Sequence, residues 1–294
     1  MKKVLLFSVV ALQLLAACTT KSELRQSPKK DIALQLYSLR TDFKNDFDAA
    51  IKKAGEAGYT AVEAADYGDG KFYGKTPADF KAAVEAAGMK ALSSHTTKLL
   101  SEQELRAKDF TAPLAWWDEA IEAHLAAGMK YIVAPWMDVP KTLADLQTYC
   151  DYYNAIGKKC KEKGLLFGYH NHAHEFTKIE DSVMYDYMLE HTNPKWVFFQ
   201  MDVYWTVMGR QSPVEYFQKY PGRFTLLHIK DHKELGQSGM VGFDAIFKNT
   251  DAAGTKFLIV EVEQYNHAPA ESIRISLDYL LNCPLVKESY TGEE

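Results

Sequence analysis

Cysteine is scarce in this 294-residue chain, with only Cys18, Cys150, Cys160 and Cys283. No pair has CxxC spacing, and beyond Cys18 the count is odd, which argues against a disulfide scaffold or a thiolate metal site. Cys150 and Cys160 fall on one predicted helix, about 15 Å apart at 1.5 Å per residue, too far to bridge. Long apolar runs are missing as well. VLLFSVVALQLL near the start is too short to be a convincing membrane span. No run of Lys and Arg stands out, and 34 basic residues face 39 acidic ones. Binding a polyanion on such a surface would forgo the electrostatic term that dominates nucleic-acid affinity, so nucleic acid is excluded as a partner. Finally, LQLYSLR contains no glycine where a doubly wound nucleotide-binding sheet would carry its phosphate loop after the first strand.

What is present starts with a leader. Lys2 and Lys3 precede the apolar run, which ends in Leu15-Ala16-Ala17-Cys18. A charged segment, an apolar core and small residues at the cleavage point read as a signal peptide over 1–17. Its Leu-Ala-Ala-Cys ending resembles a bacterial lipobox, which implies lipidation of Cys18. A polar tether over 18–30 then leads to a single domain over 31–294. The mature chain of 277 residues carries 32 basic and 39 acidic side chains, and it is long enough for one large α/β core.

One pattern recurs along this domain: a helical stretch, a glycine, one or two residues, then an apolar strand. It appears as EAGYTAVEA, AAGMKALSS, AAGMKYIVA, EKGLLFGYH, YPGRFTLLH and AAGTKFLIV. Glycine ends a helix cheaply in the left-handed conformation and lets the chain turn back. Apolar runs place strands at roughly 32–37, 59–64, 89–95, 130–135, 165–171, 196–203, 223–229 and 256–263. Helical periodicity fills the gaps, as in 46–57 and 143–164. Eight such alternations predict a single (β/α)8 TIM barrel.

Four metal-capable side chains sit near the ends of the last four runs: His170, Asp202, His228 and Glu263, separated by 32, 26 and 35 residues. Parallel strands bring their C-terminal ends to one face, so ligands distant in sequence can meet there. Two imidazoles and two carboxylates suit one divalent metal such as Mn²⁺, Zn²⁺ or Co²⁺. Residues two apart share a strand face, which puts Lys230 above His228, pairs Glu261 with Glu263, and pairs His170 with His172. Glu261 competes with Glu263 as ligand, and His172 and Glu175 compete less strongly with His170. Lys230, Glu261 and His95 are the acid/base candidates. Gln35, Glu63, Tyr67, Trp136 and His172 are candidates for substrate contact, with Tyr37 beside them. Polar groups would meet hydroxyls there, and aromatic faces would meet C–H surfaces.

In combination, LQLYSLR, YHNHAHEF, QMDVYW, HIKDHK and VEVEQY resemble the xylose isomerase-like TIM barrel superfamily of sugar isomerases and epimerases, over about residues 31–284. The resemblance implies one divalent metal at the positions of His170, Asp202, His228 and Glu263, and removal of a proton α to a sugar carbonyl. Many members carry Glu at both the fifth- and eighth-strand positions, where this chain has His170 in the first. A symmetric two-carboxylate relay is therefore disfavoured. The resemblance implies instead a lyase or hydratase of 3-keto-glycosides, with an isomerase or epimerase of neutral sugars as the alternative. The expected partner is a small sugar or glycoside. The lipobox implies a bacterial envelope location, with membrane contact through the lipid alone.

Overall fold

A computed structural model describes residues 30–291. The expected signal segment, Cys18 and all of the tether except Lys30 lie outside the described residues. Eight parallel strands form the predicted barrel: β1 (Ile32–Gln35), β2 (Ala61–Ala64), β3 (Lys90–Ser94), β4 (Tyr131–Ala134), β5 (Leu166–His170), β6 (Val197–Asp202), β7 (Leu226–Lys230) and β8 (Phe257–Glu261). They hydrogen-bond in the order β3-β2-β1-β8-β7-β6-β5-β4. The remaining seam is closed by one parallel bridge between His95 and Val133, where the Thr96 N–H donates to the Val133 carbonyl at 2.8 Å.

The principal helices, one after each strand, are α1 (Phe47–Ala57), α2 (Pro77–Ala86), α3 (Thr111–Ala126), α4 (Leu143–Glu162), α5 (Met184–His191), α6 (Pro213–Lys219), α7 (Phe243–Lys248) and α8 (Pro269–Asn282). Their starts follow local chemistry. Asp46, Thr76, Thr142 and Ser212 each accept a backbone N–H of the first turn, and Pro77 and Pro213 occupy first-turn positions that need no donor. Their ends follow the repeat: the glycine of all six copies has φ between +75° and +104°, the left-handed region that costs glycine least. Cys150 and Cys160 are buried and unbridged in α4, and burial pushes both thiols up to about 12. They are packing residues.

Two short hairpins escaped the sequence reading, Tyr67–Gly68 with Lys71–Phe72 and Lys178–Ile179 with Ser182–Val183. Strands of two residues leave no alternation to detect.

Inside the barrel the lower layer is apolar: Ala33, Ala61, Leu92, Tyr131, Val133, Phe198, Leu226 and Ile259 form one cluster. Gly168 on β5 makes room for it, because a Cβ there would stand 2.4 Å from the Phe198 ring. Above this layer the inward positions turn polar. One register shift, between Val62 and Glu63 on β2, lets Glu63 pair with Ser93 rather than with Leu92. Bulges commonly re-aim side chains next to sites in this way.

One buried histidine serves packing. His124 on α3 is fully enclosed; its Nδ1–H donates to the Ala120 carbonyl at 2.6 Å and its Nε2 accepts from the Thr96 hydroxyl at 3.1 Å. Burial holds its imidazole down at about 4. A base whose folded value is depressed contributes stability in full above its unfolded value near 6.5, and loses it as pH falls toward 4. Acidifying from pH 7 to pH 4.5 should therefore cost about 2–3 kcal/mol through this group alone. Urea unfolding of wild type and His124→Leu at both pH values should show that gap shrinking by this amount, and an unchanged gap would clear His124 of the role.

Candidate active site

Six strands contribute to a polar layer centred on Glu63, which is fully buried. Its Oε1 accepts from Gln35 Nε2 at 2.8 Å and His228 Nε2 at 2.7 Å, and lies 3.0 Å from His95 Nε2. Its Oε2 accepts from Ser93 Oγ at 2.7 Å and Gln200 Nε2 at 2.8 Å. Because Gln200 gives its amide N–H to Glu63, its carbonyl end is fixed: Oε1 accepts from His95 Nε2 at 2.9 Å and His170 Nδ1 at 3.1 Å. Three imidazoles are thereby set in orientation and tautomer. His95 and His228 carry a proton on Nε2 and His170 carries one on Nδ1; the opposite nitrogens of His95 and His170 are left for other work, and that of His228 faces Glu261.

The charges follow from this arrangement. Burial alone would raise the Glu63 carboxyl, but His95 and His228 outweigh it and hold it well below the carboxylate range. Burial likewise opposes charge on His228, yet Glu63 and Glu261 lift it to about 10. Burial pushes Asp202 up to about 8 despite Lys230 and His228 nearby. Glu261 is held down at about 2, since Lys230 and His228 overcome its burial. Lys230 is raised, because Glu261, Asp202 and Glu263 prevail over burial, so it stays an ammonium. Burial, then the neighbouring imidazoles of His228, His172 and His95, press His170 well below its ordinary value.

Asp202, His228 and Glu261, from the ends of β6, β7 and β8, each bring one ligand atom within 4.8 Å of the others. Asp202 also caps the helix that follows it: Oδ1 accepts the Trp205 N–H at 2.8 Å, while Oδ2 is buried without a partner. His228 Nδ1 is also buried and unpartnered, facing Glu261 Oε2 at 3.4 Å. Two orphaned buried polar atoms beside a carboxylate are the donor set expected of a divalent-cation site, with the proton on the far side of the His228 ring held by Glu63. Metal-capable groups of this kind occur twice more among the described residues: His95, His170 and His228, and His172, His174 and Glu175. The nitrogens of the first group already donate to Gln200 and Glu63 on one side. In the second, the Glu175 oxygens are occupied by the Tyr169 hydroxyl and the His172 N–H.

The β8 side chain in the cluster is thus Glu261, where the sequence pointed to Glu263. The strand ends at Glu261 inside the barrel. Glu263, two residues higher, has risen to the rim and pairs with Lys230 Nζ at 2.9 Å. His170 lies next to His228 and groups with it, not with Asp202 and Glu261.

A cavity of about 410 Å³ opens over this layer, lined by His95, His170, His172, Tyr67, Trp136, Glu261 and Glu263 among others. Gln35 and Glu63, expected to meet substrate, do not line it. They are fully buried, and their polar atoms are engaged with other side chains and the Tyr37 N–H. They position the imidazoles instead. Lys230 is buried beneath the rim. Gln200 escaped the sequence reading altogether. Its spacing of two from Asp202 on a strand was the signal that it shares the inward face.

A barrel whose C-terminal face gathers carboxylates and imidazoles under an open cavity defines a TIM-barrel enzyme with a site suited to one divalent cation. The chain belongs to the Xylose isomerase-like TIM barrel family, whose profile matches residues 51–283. An inosose dehydratase of Bacillus cereus is 22% identical over 262 residues, 75% of this chain and 83% of that protein. Among solved structures, a sugar phosphate isomerase/epimerase from Parabacteroides distasonis is 36% identical with a TM-score of 0.81, covering 88% of this chain and 100% of that one. The 3-keto-D-glucoside 4-epimerase of E. coli is 20% identical with a TM-score of 0.64, covering 87% and 100%. A carbohydrate lyase or isomerase/epimerase is the enzyme class consistent with these relatives and this site.

Replacing Glu63 by Gln should be costly despite its isosteric shape, because a new N–H faces surrounding donors and two imidazoles lose their counter-charge. We expect about 3–5 kcal/mol of lost stability in thermal unfolding. The His228 imidazole, followed by NMR, should titrate well below its value of about 10. A variant that keeps both wild-type stability and the wild-type titration would refute the central role of Glu63.

Proposed function

We propose that this protein is a divalent-metal-dependent sugar enzyme that removes a proton α to a sugar carbonyl, acting on 3-keto-glycosides by 1,2-elimination and on the resulting enone by hydration. The observation that carries this reading is the convergence of Asp202, His228 and Glu261 within 4.8 Å, two of them with unpartnered buried atoms, below a sugar-sized cavity. Mn²⁺, Zn²⁺ or Co²⁺ held there would supply a Lewis acid that polarises the ketone and its neighbouring hydroxyl. In this assignment Glu261 is a ligand in place of Glu263, and His170 is an adjacent neutral nitrogen donor.

The chain's own groups then divide the proton work. His95 lines the cavity with its Nε2 proton held by Glu63 and Gln200, so its Nδ1 lone pair is the proposed base. Lys230, fixed as a cation between Glu263 and the faces of Tyr204 and Trp205, serves as a charged donor. The C2 proton passes to the base and its electron pair forms an enolate with the C3 carbonyl. The enolate then re-forms the ketone as a C1–C2 double bond is made and the C1–O bond breaks, and the aglycone oxygen takes a proton from the Lys230 ammonium and leaves as an alcohol. Trp136 and Tyr67 face the sugar, with His172 beside them.

Elimination is preferred because His170, neutral and without a carboxylate, gives no second arm for a two-sided proton relay. The similarity to a dehydratase supports the same choice. The alternative, an isomerase or epimerase of neutral sugars, is supported in reaction class, though not in the charge of the substrate, by the similarity to a sugar phosphate isomerase/epimerase. Incubation in D₂O separates the two readings: elimination releases aglycone, whereas isomerisation or epimerisation exchanges the α-proton and keeps every substituent. A chelator should abolish turnover, and Asp202→Asn should lower it at least a hundredfold. In calorimetry at pH 7, cation binding should release about two protons, since Asp202 near 8 and His228 near 10 are both protonated without the metal. Affinity should therefore rise with pH. Turnover that survives chelation, or binding that releases no protons, would remove the metal from the mechanism.

An envelope location with lipid on Cys18 belongs to the same proposal, since exported glycosides are the substrates such a site would meet. Labelled palmitate should be incorporated by the wild type and lost in Cys18→Ser; equal labelling of both would refute the anchor.

A further inference from the structure

The active-site cavity has a neighbour. A second cavity of about 290 Å³ shares Tyr37, Ala65 and Asp66 with it, and its remaining walls come from the segments after β1 and β2. Tyr37 stands between the two and is 44% exposed, unusual for an aromatic with so much apolar surface. On the far side, the rings of Phe43 and Tyr73 stack at 4.4 Å. Tyr73 holds this place at a cost. Its φ is +52°, a conformation that bulky residues rarely adopt, and its hydroxyl accepts the Ala65 N–H at 3.0 Å while its own N–H donates to the Asp66 carbonyl at 3.2 Å. Backbone strain of this kind persists where surrounding contacts over-determine it, and it clusters at binding sites.

We propose that this adjoining cavity is the subsite for the substrate's aglycone, and that it takes a planar aromatic group. The inference rests on the proposed action on glycosides and adds the class of leaving group. A sugar held over the cluster at the ends of β6 to β8 would direct its C1 substituent past Tyr37 into a slot lined by the rings of Phe43 and Tyr73, which stack on each other. Edge-to-face and offset contacts with these rings reward a flat aromatic ring over a small alkyl group.

The two cations nearby could suggest a phosphate instead, but the structure disfavours that occupant. Arg40 spends its N–H groups on the Tyr265 hydroxyl and the Glu263 carbonyl, both at 2.6 Å, and its guanidinium lies 4.7 Å over the Tyr37 ring. Lys44 is exposed. Asp66 lines both cavities, and an acidic residue there disfavours a dianion. Arg40 thus acts as a brace that sets the face of Tyr37.

Phenyl β-D-glucoside, methyl β-D-glucoside and glucose 6-phosphate, none of which carries the ketone, isolate binding from turnover. Calorimetry on the metal-loaded protein should find the phenyl glucoside at least tenfold tighter than the methyl glucoside. Tyr37→Ala should bring the two within about twofold, and Lys44→Ala should leave their ratio unchanged. Equal affinity of the phenyl and methyl compounds for the wild type overturns the subsite, and this comparison needs no variant to fold. Glucose 6-phosphate binding tightest, and weakening in Lys44→Ala, overturns it in favour of a phosphate site. Preference for the phenyl compound without elimination from any 3-keto-glycoside sinks the proposed reaction and leaves the subsite standing. Elimination without that preference does the reverse.

Discussion

A single carboxylate without water contact organises the upper half of this barrel. Glu63 accepts hydrogen bonds from β1, β6 and β7 and from Ser93 on β3, and it touches His95 just beyond. A bare carboxylate in that environment would cost several kcal/mol, and here full hydrogen bonding and two imidazoles offset it. The return is order. Each imidazole ring has one nitrogen committed to Glu63 or Gln200, so the direction of its other nitrogen is decided before any ligand arrives. Preorganisation of this sort lets a site bind charge without reorganising at the moment of reaction.

The apolar layer beneath makes these charges count. Phe198, Tyr131, Leu226 and Ile259 close the barrel floor and keep water away from the lower side of Glu63 and His228. Electrostatic interactions strengthen as the effective dielectric falls. Lys230 illustrates the balance: it is almost wholly buried, yet it remains charged because Glu261, Asp202 and Glu263 all face it. Three carboxylates against one permanent cation leave a deficit of positive charge at the ends of β6 to β8. Protons on Asp202 and His228 fill that deficit in the cation-free protein, and a divalent ion matches it in charge.

The fold was largely legible in the sequence because its signal is repeated. Six helix-ending glycines and eight apolar runs each restate one unit, so an error in the bounds of any single run leaves the architecture unchanged. The site was legible only in part, for a geometric reason. Alternation tells which residues share a face but not where the strand ends, so the sequence points to Glu263 over Glu261 as ligand, whereas β8 ends at Glu261 and leaves Glu263 at the rim. Glu63 and Gln35 stand in the sequence as candidates for substrate contact near strand ends, yet strand position cannot say whether such a residue meets the cavity or a neighbour. The shift between Val62 and Glu63 had no signature in the sequence, and it is this shift that brings Ser93 under the Glu63 carboxylate.

The two halves of the barrel divide the labour. Strands β5 to β8 end in side chains that carry charge and protons. Strands β1 to β3 supply the hub beneath them, and the segments after β1 and β2 supply a wall of Tyr37, Phe43 and Tyr73 beside the cavity. That wall is as fixed as the cluster. Arg40 ties Tyr37 to the segment after β8 through Tyr265 and Glu263, the residue whose carboxylate holds Lys230. Displacing Tyr37 would therefore disturb the backbone that aims the Lys230 partner. On the proposed reading, contact with the substrate's outer group and the placement of charge at its reacting carbon would share one mechanical link, through which binding energy from a remote substituent could be spent on orientation at the bond that changes.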